Sequence, residues 1–323
     1  MEVKDLKERE NELKKEINRD HRFIMGSSPE LMRVLNLVRK VAKTDANVLI
    51  TGENGTGKEL VAQEIHRLSA RAMEVMVSVD IGSLSETLFE SELFGHMKGS
   101  FTDARENRQG KFETADKGTL FLDEIGNLSF HLQAKLLSAI ENRQITRLGS
   151  NQQIPTDIRL ICATNRNLES MVSDGLFRED LLYRINTIQI ELPPLRERGN
   201  DIINLAEFFL KKYTWKYKKP DIKINKPAID KLLSYEWPGN IRELQHTIEK
   251  AVILSESSVL KPEDLYLKSP FSANNSNSFI TLDEMESQMI RQALEKNNGN
   301  FTAAAEQLGI TRQTLYNRLK RQK

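Results

Sequence analysis

The tightest constraint on the fold is the run Val48-Leu49-Ile50-Thr51-Gly52-Glu53-Asn54-Gly55-Thr56-Gly57-Lys58. An apolar strand pattern stops at Gly52, glycines recur at Gly55 and Gly57, and a helical pattern over 59–69 starts directly after Lys58. Strand, glycine loop and helix start in that order build a phosphate cradle. Glycines let successive backbone N–H groups turn inward, and the helix N-terminus adds positive potential. Lys58 is placed to reach the β- and γ-phosphates of ATP. The candidate nucleotide-binding residues are therefore Gly52, Glu53, Asn54, Gly55, Thr56, Gly57, Lys58 and Glu59. Glu59 stands where a Ser or Thr is usual, so that position offers Mg²⁺ no hydroxyl.

The pattern around the loop is of one kind from 23 to 192. Strand-like runs at 47–51, 75–81, 118–122, 158–163 and 187–192 alternate with longer helical patterns. Such alternation predicts a parallel sheet covered on both faces. Gly118-Thr119-Leu120-Phe121-Leu122-Asp123-Glu124 is an apolar strand ending in two acids. Asp123 is placed to hold Mg²⁺, directly or through water, and Glu124 to polarise an attacking water. A helix cap is the plain alternative for either acid, but the carboxyl ends of buried strands are where such sheets bind ligands. Strand patterning ceases after Pro193-Pro194, and 202–217, 226–235 and 241–255 read as three helices. Asn240, in Trp237-Pro238-Gly239-Asn240, is the candidate N-cap of the last one. The expected fold class is α/β, a P-loop nucleotide-hydrolysing domain with a parallel sheet over 23–192 and a helical subdomain over 193–267.

The net charge is +1, so no overall field draws the chain to nucleic acid and any basic surface must be local. The C-terminal end supplies one. Helical patterns at 302–308 and 312–321 flank Gly309, with Ala304 and Ala305 small enough for close crossing and Leu308, Ile310, Leu315 and Leu319 as core. This is a helix-turn-helix pattern, an all-α C-terminal domain that reads double-stranded DNA. Thr311, Arg312, Gln313, Tyr316 and Asn317 lie on the expected groove side, while Arg318, Lys320, Arg321 and Lys323 would meet phosphates. A dimer spanning two half-sites about 34 Å apart is expected, with the helical pattern at 282–296 as its contact. The domain division is 1–22 leading helix or linker, 23–192, 193–267, 268–281 polar linker, and 282–323. In the leading segment Val3, Leu6, Leu13 and Ile17 form one apolar seam, either a solvated helix or a short coiled-coil contact. The single cysteine, Cys162, excludes a disulfide framework and reads as a buried small residue. No run approaches the ~18 apolar residues of a membrane span, and nothing after Met1 resembles a signal peptide, so a cytoplasmic chain without membrane contact is expected.

Between the phosphate loop and the paired acids lies Glu92-Leu93-Phe94-Gly95-His96-Met97-Lys98-Gly99-Ser100-Phe101-Thr102-Asp103-Ala104. Nucleotide hydrolysis does not need a loop with Phe-Thr at its tip, and an apolar side chain held out there would press on a partner. This loop resembles the GAFTGA loop of sigma-54-dependent transcription activators, the AAA+ enhancer-binding proteins, with Ser100 in place of Ala and Asp103 in place of Gly. The string Trp237-Pro238-Gly239-Asn240-Ile241-Arg242-Glu243-Leu244 is similar to that family too, and the C-terminus resembles its Fis-type domain. The resemblance implies an AAA+ fold in which Asn165 is sensor I, Arg178 and Arg184 are arginine fingers acting in trans, and Arg242 is sensor II. It implies a ring, usually a hexamer, with ATP between protomers, and contact of Gly99, Ser100, Phe101, Thr102, Asp103 and Ala104 with sigma-54 RNA polymerase so that closed promoter complexes open. The family's second-strand Asn, which restrains the catalytic Glu, is matched by Asp80. Two other readings stand beside it. One is an AAA+ unfoldase or clamp-loader-type motor, which has no need of a DNA-reading tail. The other is a DNA-binding regulator of ordinary promoters whose ATPase is vestigial or only senses ligand.

Overall fold

The alternating runs pair as a single sheet. β1 (Val48–Thr51), β2 (Met76–Asp80), β3 (Thr119–Asp123), β4 (Arg159–Thr164) and β5 (Ile188–Glu191) lie in the order β2-β3-β4-β1-β5, each neighbouring pair parallel. The computed structural model describes residues 26–83, 86–101, 104–219, 221–267, 290, 293, 294, 297 and 300–321. The expected leading helix, the linker 268–281, most of the 282–296 helix, Thr102, Asp103 and Lys323 lie outside these residues, as do the side chains of Asn317, Leu319, Lys320 and Arg321.

Successive strand residues face opposite ways, and this sorts the apolar side chains into two layers. Leu49, Leu160 and Cys162 join one core, while Val48, Ile50, Ile161 and Ala163 join the other. α1 (Pro29–Val41) and α2 (Lys58–Arg67) cover the second layer through Val34, Val38, Val61 and Ile65. The first is covered by α3 (Glu86–Phe94), α4 (Phe130–Asn142), α5 (Leu168–Ser173) and α6 (Glu179–Ile185), using Phe89, Leu93, Leu132, Leu136, Leu168 and Leu181. Each large apolar side chain removed from water contributes about 1.5–3 kcal/mol. Cys162 is fully buried, and burial pushes its thiol upward, so it packs as expected of a small core residue. Arg159 is also buried, and its guanidinium donates to the Val41 and Ala42 carbonyls at the end of α1.

The helical subdomain contains α7 (Asp201–Lys216), α8 (Lys226–Ser234) and α9 (Asn240–Leu254). Leu205, Phe209, Tyr213, Leu232, Leu244 and Ile248 are buried there, with Trp237 at the centre donating its Nε1–H to the Leu232 carbonyl. Asp201, buried at the start of α7, accepts from the Ser27 and Ser28 N–H groups and so anchors the approach to α1.

The chain divides into two compact units after Tyr266. In the second, α10 (Phe301–Gln307) and α11 (Arg312–Arg321) meet at Gly309, whose φ of +67° is one that glycine adopts without strain. Ala304, Ala305 and Leu315 form its core with Ile290 and Ala293. Asn300 caps α10 by accepting from Thr302 and Ala303 N–H. Among the described residues no helix is long and apolar enough to cross a membrane.

Candidate active site

The phosphate loop leaves the carboxyl end of β1, between β4 and β5, and runs straight into α2. Gly52, Gly55 and Gly57 all have positive φ, +149°, +77° and +101°, so the loop conformation requires glycine. Lys58 is buried, and its Nζ donates to the carbonyls of Gly52 at 2.9 Å and Glu53 at 3.1 Å. Burial holds its ammonium below the usual lysine range, against the attraction of Asp123 and Glu124. Thr56 donates its hydroxyl to the Glu53 carbonyl at 2.8 Å. Glu59 is exposed and accepts from Gln63. A buried ammonium inside a glycine cradle, beside paired carboxylates, suits a triphosphate with its Mg²⁺.

Asp123 ends β3, and its Oδ1 accepts from the N–H of Glu124 at 2.9 Å. Glu124 has φ +58°, an uncommon backbone for a glutamate and one that functional sites retain. Its carboxylate accepts from Asn127 Nδ2 at 2.6 Å and lies against Gly82, where any Cβ would collide with it. Asp80 instead accepts from the Gly82 N–H. The amide on Glu124 thus comes from the turn that follows it, a residue sequence reading passed over. The only trace was an Asn three places beyond the acid in Glu124-Ile125-Gly126-Asn127. Asn165 follows β4 and, with Thr51, Gly52, Glu53, Leu192 and Arg196, lines a cleft of about 710 Å³ beside the phosphate loop.

The helical subdomain is tied directly to that loop. Arg196 grips Glu53 with two hydrogen bonds, 2.7 and 3.0 Å, and holds its carboxyl below the usual range. Asn240 is fully buried, accepts from the Leu195 N–H at 2.7 Å and donates to Glu53 Oε2 and the Asn54 carbonyl at 2.9 and 3.0 Å. This corrects the expected N-cap. Asn240 has φ +50° and sits within α9, while Glu243 receives the Gly239 N–H. The Ile241 N–H donates to the Gly55 carbonyl, so only glycine fits at 55, where a Cβ would strike the Gly239 carbonyl. Arg242 stands at the same contact, close enough to Lys58 for their charges to interact. Buried Arg198 donates to the Pro193 and Thr56 carbonyls, and desolvation pushes its guanidinium down to about 10. Asn240→Ala leaves the buried Leu195 N–H unpaired, removes the amide from Glu53 and Asn54, and strains an alanine at positive φ. We expect a loss of about 2–4 kcal/mol in urea unfolding; an unchanged midpoint would remove the bridging role.

The two expected finger arginines are not brought to the chain's own phosphate loop. Arg178 pairs with Asp180 at 2.6 Å and lies over the Phe130 ring. Arg184 meets the Ile140 carbonyl, and its own carbonyl accepts from Asn47 Nδ2. Asn47 precedes β1 and the phosphate loop follows it, so about 13 Å of strand separates the two.

The Phe101 loop projects from a two-residue ribbon, Gly95–His96 paired with Arg108–Gln109. It is drawn together by hydrogen bonds from Gly99 N–H to the Ala104 carbonyl and from Ala104 N–H to the Phe101 carbonyl. The expectation of a side chain held wholly outward is modified: Phe101 is 39% exposed and packs edge-on against His96, ring centroids 4.9 Å apart. His96 is fixed by a 2.7 Å hydrogen bond with Ser91. Ser100 packs on Gly149, and the neighbouring Leu148 exchanges backbone hydrogen bonds with Gly95 and Met97.

In the second unit Arg312, Gln313, Tyr316 and Arg318 are exposed along α11. Thr311 is exposed too, but its hydroxyl accepts from the Thr314 N–H and fixes the start of that helix.

Comparison with known proteins gives three consecutive matches: a sigma-54 interaction domain over 24–191, an AAA+ ATPase lid domain over 196–279, and the Fis family of bacterial regulatory proteins over 281–321. Among curated relatives, the transcriptional regulatory protein ZraR of Salmonella typhi is 48% identical over 301 residues, covering 92% of this chain and 68% of that protein. The nitrogen fixation protein AnfA of Azotobacter vinelandii is 46% identical, covering 92% of this chain and 57% of its own. Among solved structures, NtrX of Brucella abortus in complex with ADP superposes with a TM-score of 0.73 at 29% identity, over 99% of this chain and 73% of that one. NtrX in complex with ATP gives 0.72 at 30%. A family domain matching just over half the chain, with a lid and a Fis-type end in register behind it, places this protein among the sigma-54-dependent transcription activators, AAA+ ATPases that carry their own helix-turn-helix.

Proposed function

We propose that this activator hydrolyses ATP at a seam between protomers and uses the Phe101 loop to remodel sigma-54 RNA polymerase. The observation that carries the reading is the buried Lys58 facing Asp123 and Glu124 while Arg184 stands at the opposite end of β1. A site whose anion-binding cradle and catalytic acids lie in one chain, but whose candidate finger arginines are engaged elsewhere, would be completed by a second copy. Bound Mg·ATP would supply the phosphoanhydride bond and the metal's charge neutralisation. Lys58 and the loop N–H groups would hold the β- and γ-phosphates, Asp123 the metal, and Glu124 the attacking water, with Asn165 and Arg242 next to the γ-phosphate.

Asn127 orients Glu124 in this reading. Asn127→Ala is expected to lower ATP turnover by roughly tenfold, since a freed carboxylate samples unproductive positions, with ATP affinity unchanged. Turnover at the parent rate would exclude that role. The reading as a whole is tested by open-complex formation on a sigma-54 promoter carrying upstream binding sites. ATP should support opening and a non-hydrolysable analogue should not. Opening without hydrolysis, or ATP turnover with no effect on the polymerase, would favour a ligand sensor or an unrelated motor.

A further inference from the structure

The helical subdomain carries a surface that nucleotide chemistry does not use. Lys211, Lys212, Lys216, Lys218 and Lys219 fall within nine residues, interleaved with Tyr213, Trp215 and Tyr217 and with no acid among them. Folding separates their roles. Tyr213 is buried in the subdomain core. Lys216 and Tyr217 engage Glu249 at 3.0 and 2.6 Å, and Lys219 donates to the Ile253 and Ser255 carbonyls at the end of α9. These contacts pin the segment down. Lys211, Lys212 and Lys218 stay exposed and, among the described residues, without an ion-pair partner.

Between them stands Trp215, 85% exposed, the most exposed large apolar side chain among the described residues. Phe208, 41% exposed, lies seven residues earlier, so both rings and Lys211 and Lys212 occupy one face of α7. The two rings are about 10 Å apart along the helix, the rise of about three nucleotides in a stacked strand. Large aromatic side chains in water are unfavourable, and a flat ring among unpaired cations matches a ligand that offers both flat faces and regular negative charge. An unpaired nucleic acid strand offers both. A duplex presents its phosphates but hides its base faces, and an acidic polypeptide has charge without regular stacking planes.

We propose that this face of the subdomain binds a single strand of DNA, Trp215 stacking on a base and Lys211, Lys212 and Lys218 meeting phosphates. Promoter opening creates such a strand where the protein acts. The inference does not depend on the seam-shared ATPase.

The chain has only two tryptophans, and Trp237 is fully buried, so quenching by added polymer reports Trp215 locally, even if DNA also binds the helix-turn-helix. The full chain is titrated with oligo(dT), with a duplex of equal length, and with polyglutamate. Oligo(dT) should quench the emission, and salt should reverse it. Trp215→Phe should abolish the signal, Trp215→Ala should weaken strand binding roughly tenfold as read by the anisotropy of dye-labelled oligo(dT), and Lys211→Gln with Lys212→Gln should flatten the salt dependence by about 0.7 per lysine. ATP turnover should be unchanged in all three. Absence of quenching by oligo(dT), equal quenching by the duplex, quenching by polyglutamate, or a signal that follows protein concentration alone would each overturn the proposal.

Discussion

Arg184→Ala is expected to lower ATP turnover by about 10³–10⁵-fold, the range over which an arginine finger stabilises phosphoryl-transfer charge, while nucleotide binding stays near the parent level. The guanidinium meets the Ile140 carbonyl at the amino end of β1, away from the chain's own phosphate loop. Its loss cannot therefore disturb the cradle directly. Mixing separates action in trans from damage in cis. Lys58→Ala has an intact finger but no phosphate contact, and Arg184→Ala the reverse. Each alone should be almost inactive, and the mixture should recover a substantial share of activity, because some seams then pair the intact Lys58 of one protomer with the intact Arg184 of another. No recovery at any mixing ratio would eliminate the shared site. Turnover per chain should also rise with protein concentration as seams form.

The second large effect separates motor from output. Phe101→Ala should leave ATP turnover within about twofold, since the ring packs on His96, outside the phosphate loop and the paired acids, and should abolish open-complex formation. An edge-on aromatic pair contributes about 0.5–1.5 kcal/mol, so docking on His96 is weak enough for a partner to displace. His96→Ala is the companion variant: it frees the ring without removing it and should retain sigma-54 binding. Normal promoter opening by Phe101→Ala would remove the loop from the mechanism, whatever the ATPase does.

Most of the architecture was legible because it is written in local periods. The five strands lie within a residue of the apolar runs that forecast them, and α7, α8 and α9 begin and end within a residue of the helical pattern. Periodicity, glycine placement and the terminal acids are short-range signals, and the backbone rules that produce them act within a few residues. The corrections fall where a side chain acts across the chain. Asn240 has the right residue type for an N-cap, yet its amide reaches Glu53 and Asn54. Asn127 left only a faint trace, its place three residues beyond the acid, and it meets Glu124 where the backbone is left-handed.

The sequence alone determined the α/β class, the phosphate loop with Lys58, the paired acids and the helix-turn-helix, because each is specified by spacing along the backbone. Tertiary structure decided which groups meet: the Asn240 bridge between subdomain and loop, the Asn127 amide on Glu124, the distance of Arg184 from its own cradle, the seating of Phe101 on His96 and the exposure of Trp215. These depend on strand order and helix packing, which bring together residues that no local period connects.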